Sequence, residues 1–505
     1  MNPIKSVDRL LNNITMYRLL LYGLSAIVGL AFVYTATGAI QYSLLWMVAS
    51  IGVLLTVGYV ASQLLAVLFS VPTNFESSLI TTLILFLIMP PASDITQLAY
   101  LALVVLIAIG SKYLLTWRGK HIFNPAALAA VALTVTGLYP SSWWVGLPLL
   151  LPLVAVVGVL EVRKTRRFSL VGSFLLACLV GITAVAVSKG SSLPELLSLN
   201  FVSGPLIFFG TVMVTEPSTM PGRRHHQIIF GALVGILAVT QVHLAGIFLS
   251  TAGALLVGNV YAFLVNSRST VRLKLLAKNR LSERVYELVF APSRSLKFLP
   301  GQYMDWTLPQ AWPDSRGNRR TFTIASSPNE LEVRLGIKLY QPMSSFKEAL
   351  MNLEAGDTIL GAHVAGDFVL PNDVSKKLIF IAGGIGVTPF RSMVKAMVDS
   401  GVKRDIVMYY AVSDPQEVSF GNLFEDAAGY GLKLITVLDP RAATSDWPGE
   451  VGPLTIAMIK RHAPDLLERT CYISGPSAMV DGYRAELSEA GVHSGDIISD
   501  WFTGY

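Results

Sequence analysis

Charged residues and cysteines are both scarce in this chain, and each scarcity excludes a class of protein. Only 14% of the 505 residues are Asp, Glu, Lys or Arg, and the mean hydropathy is +0.55, which is too apolar for a soluble protein of this size. The two cysteines, Cys178 and Cys471, are too few for an iron–sulfur cluster with four thiolate ligands or for a disulfide framework. The sequence therefore predicts neither a metal centre nor a disulfide-stabilised fold.

Histidine is also rare in the apolar first part of the chain. Residues 1–266 contain only His121, His225, His226 and His243. A haem-type transmembrane ferric reductase or NADPH oxidase needs pairs of histidines that face each other within helices. Three of these four histidines lie at predicted loop edges, so a haem protein is an alternative and not the main prediction.

The charges that are present divide the chain into two parts. Residues 1–266 contain 13 Lys/Arg and 6 Asp/Glu, whereas the remaining residues contain 26 and 27. The basic excess belongs to the apolar part, where it indicates orientation in a membrane rather than nucleic-acid binding. The apolar segments predict an all-α, polytopic membrane bundle of about ten helices at 16–38, 44–70, 78–91, 96–115, 123–138, 142–161, 168–188, 199–215, 227–243 and 244–266. Several of these segments are shorter than the ~20 residues of a full crossing, which suggests half-helices or tilted elements.

Basic clusters follow these predicted spans in a regular way. With ten crossings and a cytoplasmic N-terminus, every cluster falls on the cytoplasmic side, as the positive-inside rule requires. The clusters are Lys5/Arg9, Lys112/Arg118/Lys120, Arg163/Lys164/Arg166/Arg167, Arg223/Arg224 and Arg268/Arg272. No small-residue cleavage site precedes the first apolar run, so we expect a retained helix and not a signal peptide. The prediction is an integral, multi-pass protein of a bacterial cytoplasmic membrane with both termini in the cytoplasm.

Two polar–proline breaks interrupt the apolar pattern. Asn124 before Pro125 fits a helix N-cap followed by proline in the first turn. The second break contains Glu216 and is followed by Arg223 and Arg224, which we predict as partners of the carboxylate. Breaks at comparable places in two halves are a hint of an internal repeat with a ligand site between them. The alternative is that each break is a loop that starts the next helix.

These two stretches carry a resemblance to a known family. Lys120–Leu133 and Val214–Leu233 resemble signature stretches of membrane subunits B and D of the sodium-pumping NADH:quinone reductase and the Rnf complex. The resemblance covers about residues 20–265 and implies a two-repeat, ten-helix fold. That family carries flavin on the Thr of a Ser-Gly-Ala-Thr motif, which this chain lacks. The resemblance therefore implies a non-covalent flavin or a quinone in the membrane domain, near Asn124 and Glu216.

The soluble part has two further patterns. Residues 267–372 contain five short alternating strands, at 271–279, 285–292, 302–309, 320–328 and 331–340, separated by Gly, Pro and Asn, which predict an antiparallel β-barrel. Residues 373–505 alternate apolar strands, at 378–384, 405–412, 433–438 and 469–475, with helices, which predicts an α/β domain with a parallel sheet. The fold class is therefore multi-domain, with a membrane domain over 1–266 and two soluble domains after it.

An Arg-x-Phe-Thr string in the barrel gives the first chemical signal. Arg320, Thr321, Phe322 and Thr323 follow a Pro-Gly-Gln-Tyr turn at 300–303. The string is similar to the Arg-x-Tyr-Ser/Thr flavin signature of the ferredoxin–NADP⁺ reductase family, with Phe in place of Tyr. Arg320 has the fork geometry that binds pyrophosphate, and Phe322, two residues on, points the same way and can stack on flavin. The resemblance implies that Thr323 donates or accepts a hydrogen bond near flavin N5.

Further motifs of that family follow in order and imply FAD and NAD(P)H as cofactors. In that family, a turn of small residues, here at 343–345, opens a helix that holds the FAD phosphates. A glycine-rich turn, here at 383–389, lets the nucleotide approach the backbone closely. The Tyr-Ile-Ser-Gly-Pro segment at 472–476 matches the second nucleotide-binding loop of the family. The family commonly has Cys where Ser474 stands, and an aromatic C-terminus covers its flavin. The implied residues are Met343, Ser344, Ser345, Gly383, Gly384, Gly386, Thr388, Pro389, Ser474, Gly475, Pro476, Met479, Phe502 and Tyr505. Thr323, Thr388, Ser474 and Tyr505 are the expected catalytic residues.

The predicted function is a membrane-bound flavoprotein oxidoreductase that passes electrons from NAD(P)H through FAD to an acceptor in or across the membrane domain. Membrane lipid and a protein electron-transfer partner are the expected contacts, with no nucleic acid. A redox-regulated transporter or ion pump is a second alternative. The choice between NADH and NADPH is left open, since Ser413 and Arg441 favour a 2′-phosphate and Asp414 opposes it.

Overall fold

The computed structural model describes nearly all of the chain, namely residues 11, 14–69, 75–117, 120–240, 243–244, 247–266, 270–310, 314, 317–443 and 447–502. It consists of two compact units that divide after Asn266. The first unit is helical, and the second contains two six-stranded sheets.

The first unit consists of apolar helices of unequal length. The longest are Met16–Ala36, Leu44–Leu68, Ile95–Leu114 and Phe168–Lys189; the shorter ones are Phe75–Ile88, Pro125–Val135, Leu151–Thr165, Arg224–Val239 and Thr251–Val265. A bent pair, Leu193–Val202 and Leu206–Met213, turns by 58° at its break. Two short hairpins pair Thr116–Trp117 with Lys120–His121 and His243–Leu244 with Ile247–Phe248.

The number of predicted spans is wrong. Among the described residues, four helices are long and apolar enough to cross a membrane, or five if the bent pair is one span, instead of about ten. The other helices have only 11 to 16 residues, and a helix of 15 residues is about 22 Å long, less than the ~30 Å hydrocarbon core. The shortening has local causes, because Pro125 starts one helix and the hairpin at 243–248 delays another until Thr251.

The second unit begins with an antiparallel half-barrel. Its strands are β1 (Thr270–Arg280), β2 (Val285–Pro292), β3 (Tyr303–Thr307), β4 (Arg319–Thr323), β5 (Val333–Lys338) and β6 (Thr358–Ala365), in the order β4-β3-β6-β1-β2-β5. The five strands predicted from alternation are present, whereas β6 was not predicted. The helix Ser345–Asn352 inserts Phe346 and Leu350 into the core of this sheet.

The remainder of the second unit is a parallel sheet, as predicted. Its strands are β7 (Leu378–Gly383), β8 (Ile406–Val412), β9 (Leu432–Leu438), β10 (Glu450–Val451), β11 (Thr470–Pro476) and β12 (Ile497–Phe502), in the order β10-β9-β8-β7-β11-β12. The helices between them are Thr388–Ser400, Gly421–Asp426, Ile456–His462 and Ser477–Glu489.

This strand order fixes where a ligand binds. From β7 the chain first proceeds through β8 and β9 on one side of the sheet and later returns through β11 and β12 on the other. The crevice outside the carboxyl ends of β7 and β11 is therefore the topological switch point of the sheet, where open α/β sheets bind their ligands.

Candidate active site

Strand β4 presents two of its predicted flavin residues to the same aromatic ring. Arg320 and Phe322 lie two residues apart and share a face of the strand. The Arg320 guanidinium carbon is 5.3 Å from the centroid of the Phe346 ring, and the Phe322 ring centroid is 5.8 Å from that centroid. Phe346 is the second residue of the helix Ser345–Asn352. The structure thus brings the arginine and the aromatic residue of the flavin string to the start of that helix.

Arg320 is buried with a carboxylate beside it. The residue is only 5% exposed, its Nη1 donates to the carbonyl of Arg319 at 2.7 Å, and its Nη2 donates to Asp314 Oδ1 at 2.8 Å. A buried guanidinium requires a partner of opposite charge. Asp314 satisfies this requirement here, and a phosphate that binds Arg320 would replace the same negative charge.

The predicted phosphate-binding serines lie in this cluster. Ser344 is the N-cap of the helix, and its hydroxyl accepts from the amide of Lys347 at 3.4 Å. The hydroxyl of Ser345 accepts from the amide of Asp314 at 2.9 Å. Met343 is half-buried just before the cap. A helix N-terminus, two hydroxyls and a buried guanidinium form a set of donors suited to an anion such as a pyrophosphate.

The two threonines of the flavin string, Thr321 and Thr323, alternate with Arg320 and Phe322 and therefore lie on the other face of β4. Thr321 is exposed, and its hydroxyl donates to Asp305 Oδ1 at 2.9 Å. Thr323 is buried at the end of β4, opposite Tyr303 of β3. Strand alternation places Thr321 on the face away from Arg320, so the structure does not bring it to the phosphate donors. The predicted role of Thr323 near a flavin ring stays a prediction.

The glycine-rich turn and the second nucleotide loop touch backbone to backbone. Strand β7 is followed by the turn Gly384–Val387 and the helix Thr388–Ser400, with Pro389 in its first turn. A Cβ added to Gly386 would lie 2.6 Å from the carbonyl carbon of Ser474 and 2.7 Å from the Cα of Gly475. Such contacts are shorter than carbon atoms tolerate, so only glycine allows the two loops to approach this closely.

Met479 and Pro476 complete the same contact. A Cβ on Gly383 would collide with the sulfur of Met479 and lie 3.3 Å from Cδ of Pro476, and Gly475 has the positive φ of 159°. Gly384 also has a positive φ, of 51°. The glycines and loop residues predicted from separate motifs therefore meet at the switch point of the sheet.

Ser474 has a buried hydroxyl with an unmet hydrogen-bonding capacity. The residue is 0% exposed, and within the described part of the chain its Oγ has no hydrogen-bond partner. Leaving a buried hydroxyl unpaired costs about 1–3 kcal/mol, and a ligand, a catalytic role or an ordered water accounts for such a group in a native structure. The unpaired hydroxyl of Ser474 could form a hydrogen bond with a nucleotide bound at the switch point, and this is the respect in which the site fits such a ligand.

Thr388 lies where the parallel sheet meets the half-barrel. It is buried, and its hydroxyl donates to the carbonyl of Ile385 at 3.1 Å. Its methyl carbon faces β5, because a Cβ added to Gly336 would lie 2.6 Å from it. A residue between the two sheets is suitably placed to orient a nicotinamide against a flavin.

Sequence reasoning missed the contacts that hold these two sheets together. Arg391 donates from Nη1 to the carbonyl of Ala325 at 3.0 Å and from Nη2 to Glu330 Oε1 at 2.8 Å, and Ser392 donates to the carbonyl of Ser326 at 2.6 Å. Burial would raise the pKa of Glu330, but the hydrogen bonds and charge of Arg391 outweigh it, so that the pKa lies below its ordinary value. No motif signals partners that are 61 to 66 residues apart.

A second missed contact is the ion pair between Lys338 of β5 and Glu417, with an N–O distance of 2.6 Å and both side chains largely buried. It joins the half-barrel to the turn after β8. The relation between the two sheets thus depends on ionic and polar contacts at several points.

The predicted aromatic cover at the C-terminus lies mostly outside the described residues. The backbone of β12 pairs Trp501 with Gly475 and Phe502 with Pro476, which brings the strand end to the second nucleotide loop. The side chains of these aromatic residues and the whole of Tyr505 are outside the described part of the chain. Their predicted role stays a prediction.

The helical unit brings together the two polar breaks predicted as a membrane site. Glu216 Oε2 accepts from Asn124 Nδ2 at 2.8 Å and from Thr219 Oγ1 at 2.9 Å. Its other oxygen lies 3.1 Å from His121 Nε2. Arg223 and Arg224, the predicted partners of Glu216, are exposed at the start of the next helix. The carboxylate is thus joined to side chains 92 and 95 residues before it.

Asn259 extends this cluster. It is fully buried, and its Oδ1 accepts from the amide of Asn124 at 2.8 Å while its Nδ2 donates to the carbonyl of Thr219 at 3.1 Å. Asn124 itself caps the helix Pro125–Val135 by accepting from Ala127, as predicted. An amide inside an otherwise apolar helix was a readable signal for Asn259, whereas His121 could be found only from the structure. We refer to His121, Asn124, Glu216, Thr219 and Asn259 as the polar cluster.

A family model matches part of the second unit. Residues 380–485 match the family model of the oxidoreductase NAD-binding domain. The reductase subunit of stachydrine N-demethylase from Rhizobium meliloti is 28% identical over 195 residues, which are 38% of this chain and 54% of that protein. The reductase component of propane 2-monooxygenase from Rhodococcus jostii is 28% identical over 245 residues, 46% of this chain and 64% of that protein.

The chain thus spans about half to two-thirds of the length of these curated relatives. A solved FAD/NAD-binding domain of nitric oxide dioxygenase from Vibrio cholerae is 20% identical, covers 46% of this chain and 98% of that chain, and has a TM-score of 0.41; a likeness this low supports no inference. The family model and the relatives together show that the chain contains an NAD(P)H-dependent oxidoreductase module.

Proposed function

We propose that this protein is a membrane-bound reductase that takes electrons from NAD(P)H through FAD and delivers them to a flavin, a quinone or another acceptor held by its helical unit. The observation that carries the proposal is the presence of two candidate sites within the second unit. The phosphate donors around Arg320 lie on the half-barrel, and the orphaned hydroxyl of Ser474 lies at the switch point of the parallel sheet. The proposed domains are 1–266 for the membrane, 267–372 for FAD and 373–505 for NAD(P)H.

The residues have distinct proposed tasks. FAD, when bound, accepts the two electrons of a hydride and can release them singly. Arg320, with the amides and hydroxyls of Ser344 and Ser345, would hold its pyrophosphate, and Phe322 would pack against its ring system. Thr388 and Ser474 would position the nicotinamide, since both are buried beside the glycine-rich turn. The ion pair of Arg391 keeps this turn fixed against the half-barrel.

The flavin assignment is tested by Arg320→Ala in the full chain purified in detergent. Wild-type protein is expected to release one FAD per chain on denaturation, and the variant should lose most of it, because the loss of a charge-assisted bidentate contact costs roughly 1.5–3 kcal/mol. Arg319→Ala is the matched control, since its Nε donates to Thr307 Oγ1 at 3.2 Å on the same strand. Equal flavin content in both variants would refute the assignment, and a haem absorption band would favour a haem reductase instead.

The membrane part of the proposal rests on the polar cluster. A carboxylate within an apolar helical unit is expensive and is usually functional or paired, and Glu216 has a histidine beside it that can exchange protons. Quinone reduction takes up protons as well as electrons, and a His–Glu pair can supply them. We therefore place the acceptor beside Glu216 and His121.

This placement is tested with Glu216→Gln, which keeps the shape of the side chain and removes its charge. Reduction of a short-chain quinone by NADH should fall about tenfold or more, while reduction of ferricyanide, which accepts electrons directly from flavoproteins, should be unchanged. Glu195→Gln, on an exposed residue of the same unit, is the control. Parallel loss of both activities, or loss of neither, would contradict the acceptor site. The membrane location with cytoplasmic termini is part of the same proposal and is tested by protease accessibility in oriented vesicles.

A further inference from the structure

We propose that the dinucleotide substrate is NADH and not NADPH, because Asp414 and Asp439 place carboxylates at the edge of the parallel sheet that receives the adenosine ribose. This inference rests on the proposed function and names the substrate of the same site. The site itself is marked independently by the buried, unpartnered hydroxyl of Ser474 and by the close contact at Gly386.

The position of the ribose follows from the strand order. The pyrophosphate of a dinucleotide lies at the glycine-rich turn after the first strand, and the adenosine half extends over the neighbouring strands of that half of the sheet. Here those strands are β8 and β9, which lie in register with β7. Adjacent strands are about 4.8 Å apart, so the end of β9 is roughly 10 Å from the end of β7, within reach of the adenosine half.

Both aspartates lie directly after these strands. Asp414 follows Val412 by two residues, and Asp439 follows Leu438 at the end of β9. The amide of Asp439 donates to the carbonyl of Val412 at 3.1 Å. This bond ties the turn after β9 to the end of β8 and holds the two acidic turns side by side.

Each aspartate is held in a fixed turn. Asp414 Oδ1 accepts from the amide of Gln416 at 2.8 Å, and Asp439 Oδ1 accepts from the amide of Arg441 at 2.9 Å. Each carboxylate therefore caps a short 3₁₀ turn. Capping leaves lone pairs on each carboxylate for one more donor, and the 2′-hydroxyl of a ribose is such a donor.

Arg441, the cation that could bind a 2′-phosphate, is already paired. Its Nε lies 3.0 Å from Asp439 Oδ1 and its Nη2 lies 2.7 Å from Oδ2. The side-chain and backbone hydrogen bonds of Arg441 lower the pKa of Asp439 to about 2, so this carboxylate is ionised throughout the physiological range. Because Arg441 is almost fully exposed, this ion pair is only a weak competitor for the guanidinium, but a 2′-phosphate bound there would still face the negative charge of Asp439.

Among the described residues that directly follow β8, Ser413 is an exposed polar residue beside Asp414. A single hydroxyl cannot neutralise the two negative charges of a phosphate, whereas it can share a hydrogen bond with a ribose. The charges at this edge of the sheet thus favour NADH, which has no 2′-phosphate, over NADPH.

The inference is tested with the purified full chain by two measurements. Anaerobic flavin reduction is followed with NADH and NADPH, and the binding of NAD⁺ and NADP⁺ is measured by isothermal titration calorimetry, which does not depend on turnover. We expect NADH to reduce the flavin of wild-type protein about ten times more efficiently than NADPH, and NAD⁺ to bind about ten times more tightly than NADP⁺. This is the size of effect that repulsion between a few exposed charges of the same sign produces.

The diagnostic variant is Asp439→Ser, which removes one negative charge and releases Arg441. It should shift the ratio of NADPH to NADH efficiency, and the ratio of NADP⁺ to NAD⁺ affinity, by about fivefold to tenfold toward the phosphorylated nucleotide. Glu489→Ser is the matched control, because it makes the same charge change at the far end of the helix Ser477–Glu489, which runs away from the carboxyl edge of the sheet. The control should leave both ratios unchanged.

Three results would overturn the inference. Wild-type protein that favours NADPH, or an Asp439→Ser variant whose ratios equal those of Glu489→Ser, would refute the role of the acidic edge while leaving an NAD(P)H-dependent reductase in place. Protein that contains FAD but is reduced by neither nucleotide would refute the proposed function together with the inference.

Discussion

Replacing Gly386 by alanine tests whether the contact between the two nucleotide loops is as tight as the structure indicates. The added methyl group would lie 2.6 Å from the carbonyl carbon of Ser474 and 2.7 Å from the Cα of Gly475. These neighbours are backbone atoms of β11, which is hydrogen-bonded to β7 and β12 on its two sides. The strand therefore cannot move aside without breaking sheet hydrogen bonds.

The expected cost is that of an overpacked core, about 2 kcal/mol. For a unit of this size such a loss lowers the midpoint of thermal unfolding by roughly 4–8 °C. The displaced loops should also weaken the productive binding of the nucleotide, since a misplacement of about 1 Å costs about 100-fold in rate. We expect a KM for the nucleotide that is raised about tenfold or more, together with slower flavin reduction.

The assay is thermal unfolding of the purified full chain, followed by the rise in flavin fluorescence as the cofactor is released, together with nucleotide titration. Gly482→Ala is the matched control, because beyond the backbone of its own helix, Ser477–Glu489, no atom lies within 4 Å of the added Cβ. That change should stabilise the helix by about 1 kcal/mol. If Gly386→Ala unfolds at the same temperature as wild type and binds the nucleotide equally well, the inferred contact is wrong.

Two further predictions concern buried polar groups. Ser474→Ala should raise the free energy of unfolding, measured without nucleotide, by about 1 kcal/mol, since it removes an unpaired buried hydroxyl. The same variant should reduce its flavin more slowly in stopped-flow measurements. A variant that is less stable and slower, or more stable and faster, would contradict the assignment. The lowered pKa of Glu330 means that its ion pair with Arg391 stabilises the fold above the ordinary pKa of 4.5 and loses this effect as the pH falls through the lowered value. Glu330→Gln should therefore be less stable than wild type at pH 7 and should show a smaller further loss below pH 4.5 in urea unfolding, whereas the exposed Glu425→Gln should follow wild type at every pH.

The fold of the second unit was largely predictable because its signals are local. Alternation along β1 to β5 and the apolar runs of β7, β8, β9 and β11 reflect side-chain periods of two residues or buried strands. Strand β6 was missed because its sequence from Thr358 to Ala365 has small residues and a glycine instead of a clear alternation. The cap of Asn124 on the helix after it was read correctly for the same reason, since a cap involves only the next three residues.

The number of membrane spans shows where hydropathy alone fails. Apolar composition identifies helical segments in the first unit, but a span also requires an uninterrupted length. Pro125 and the hairpin at 243–248 shorten two predicted spans, and the bent pair at 193–213 divides another. Hydropathy averaged over a window does not detect the hairpin or the bend, whereas the break at Pro125 was predicted from its polar–proline pair.

By itself, then, the sequence determined the order of the soluble motifs, the strands that carry them and the pairing of a flavin string with a nucleotide turn. These are properties of segments shorter than about ten residues, for which backbone periodicity and turn chemistry suffice. The tertiary structure alone decided which distant groups meet. It joined Glu216 to His121 and Asn124 instead of to the nearby arginines, set Gly386 against Ser474, and paired Arg391 with Glu330. Partners 61 to 95 residues apart are selected by how helices and sheets pack, and that selection depends on the shape and burial of the entire unit.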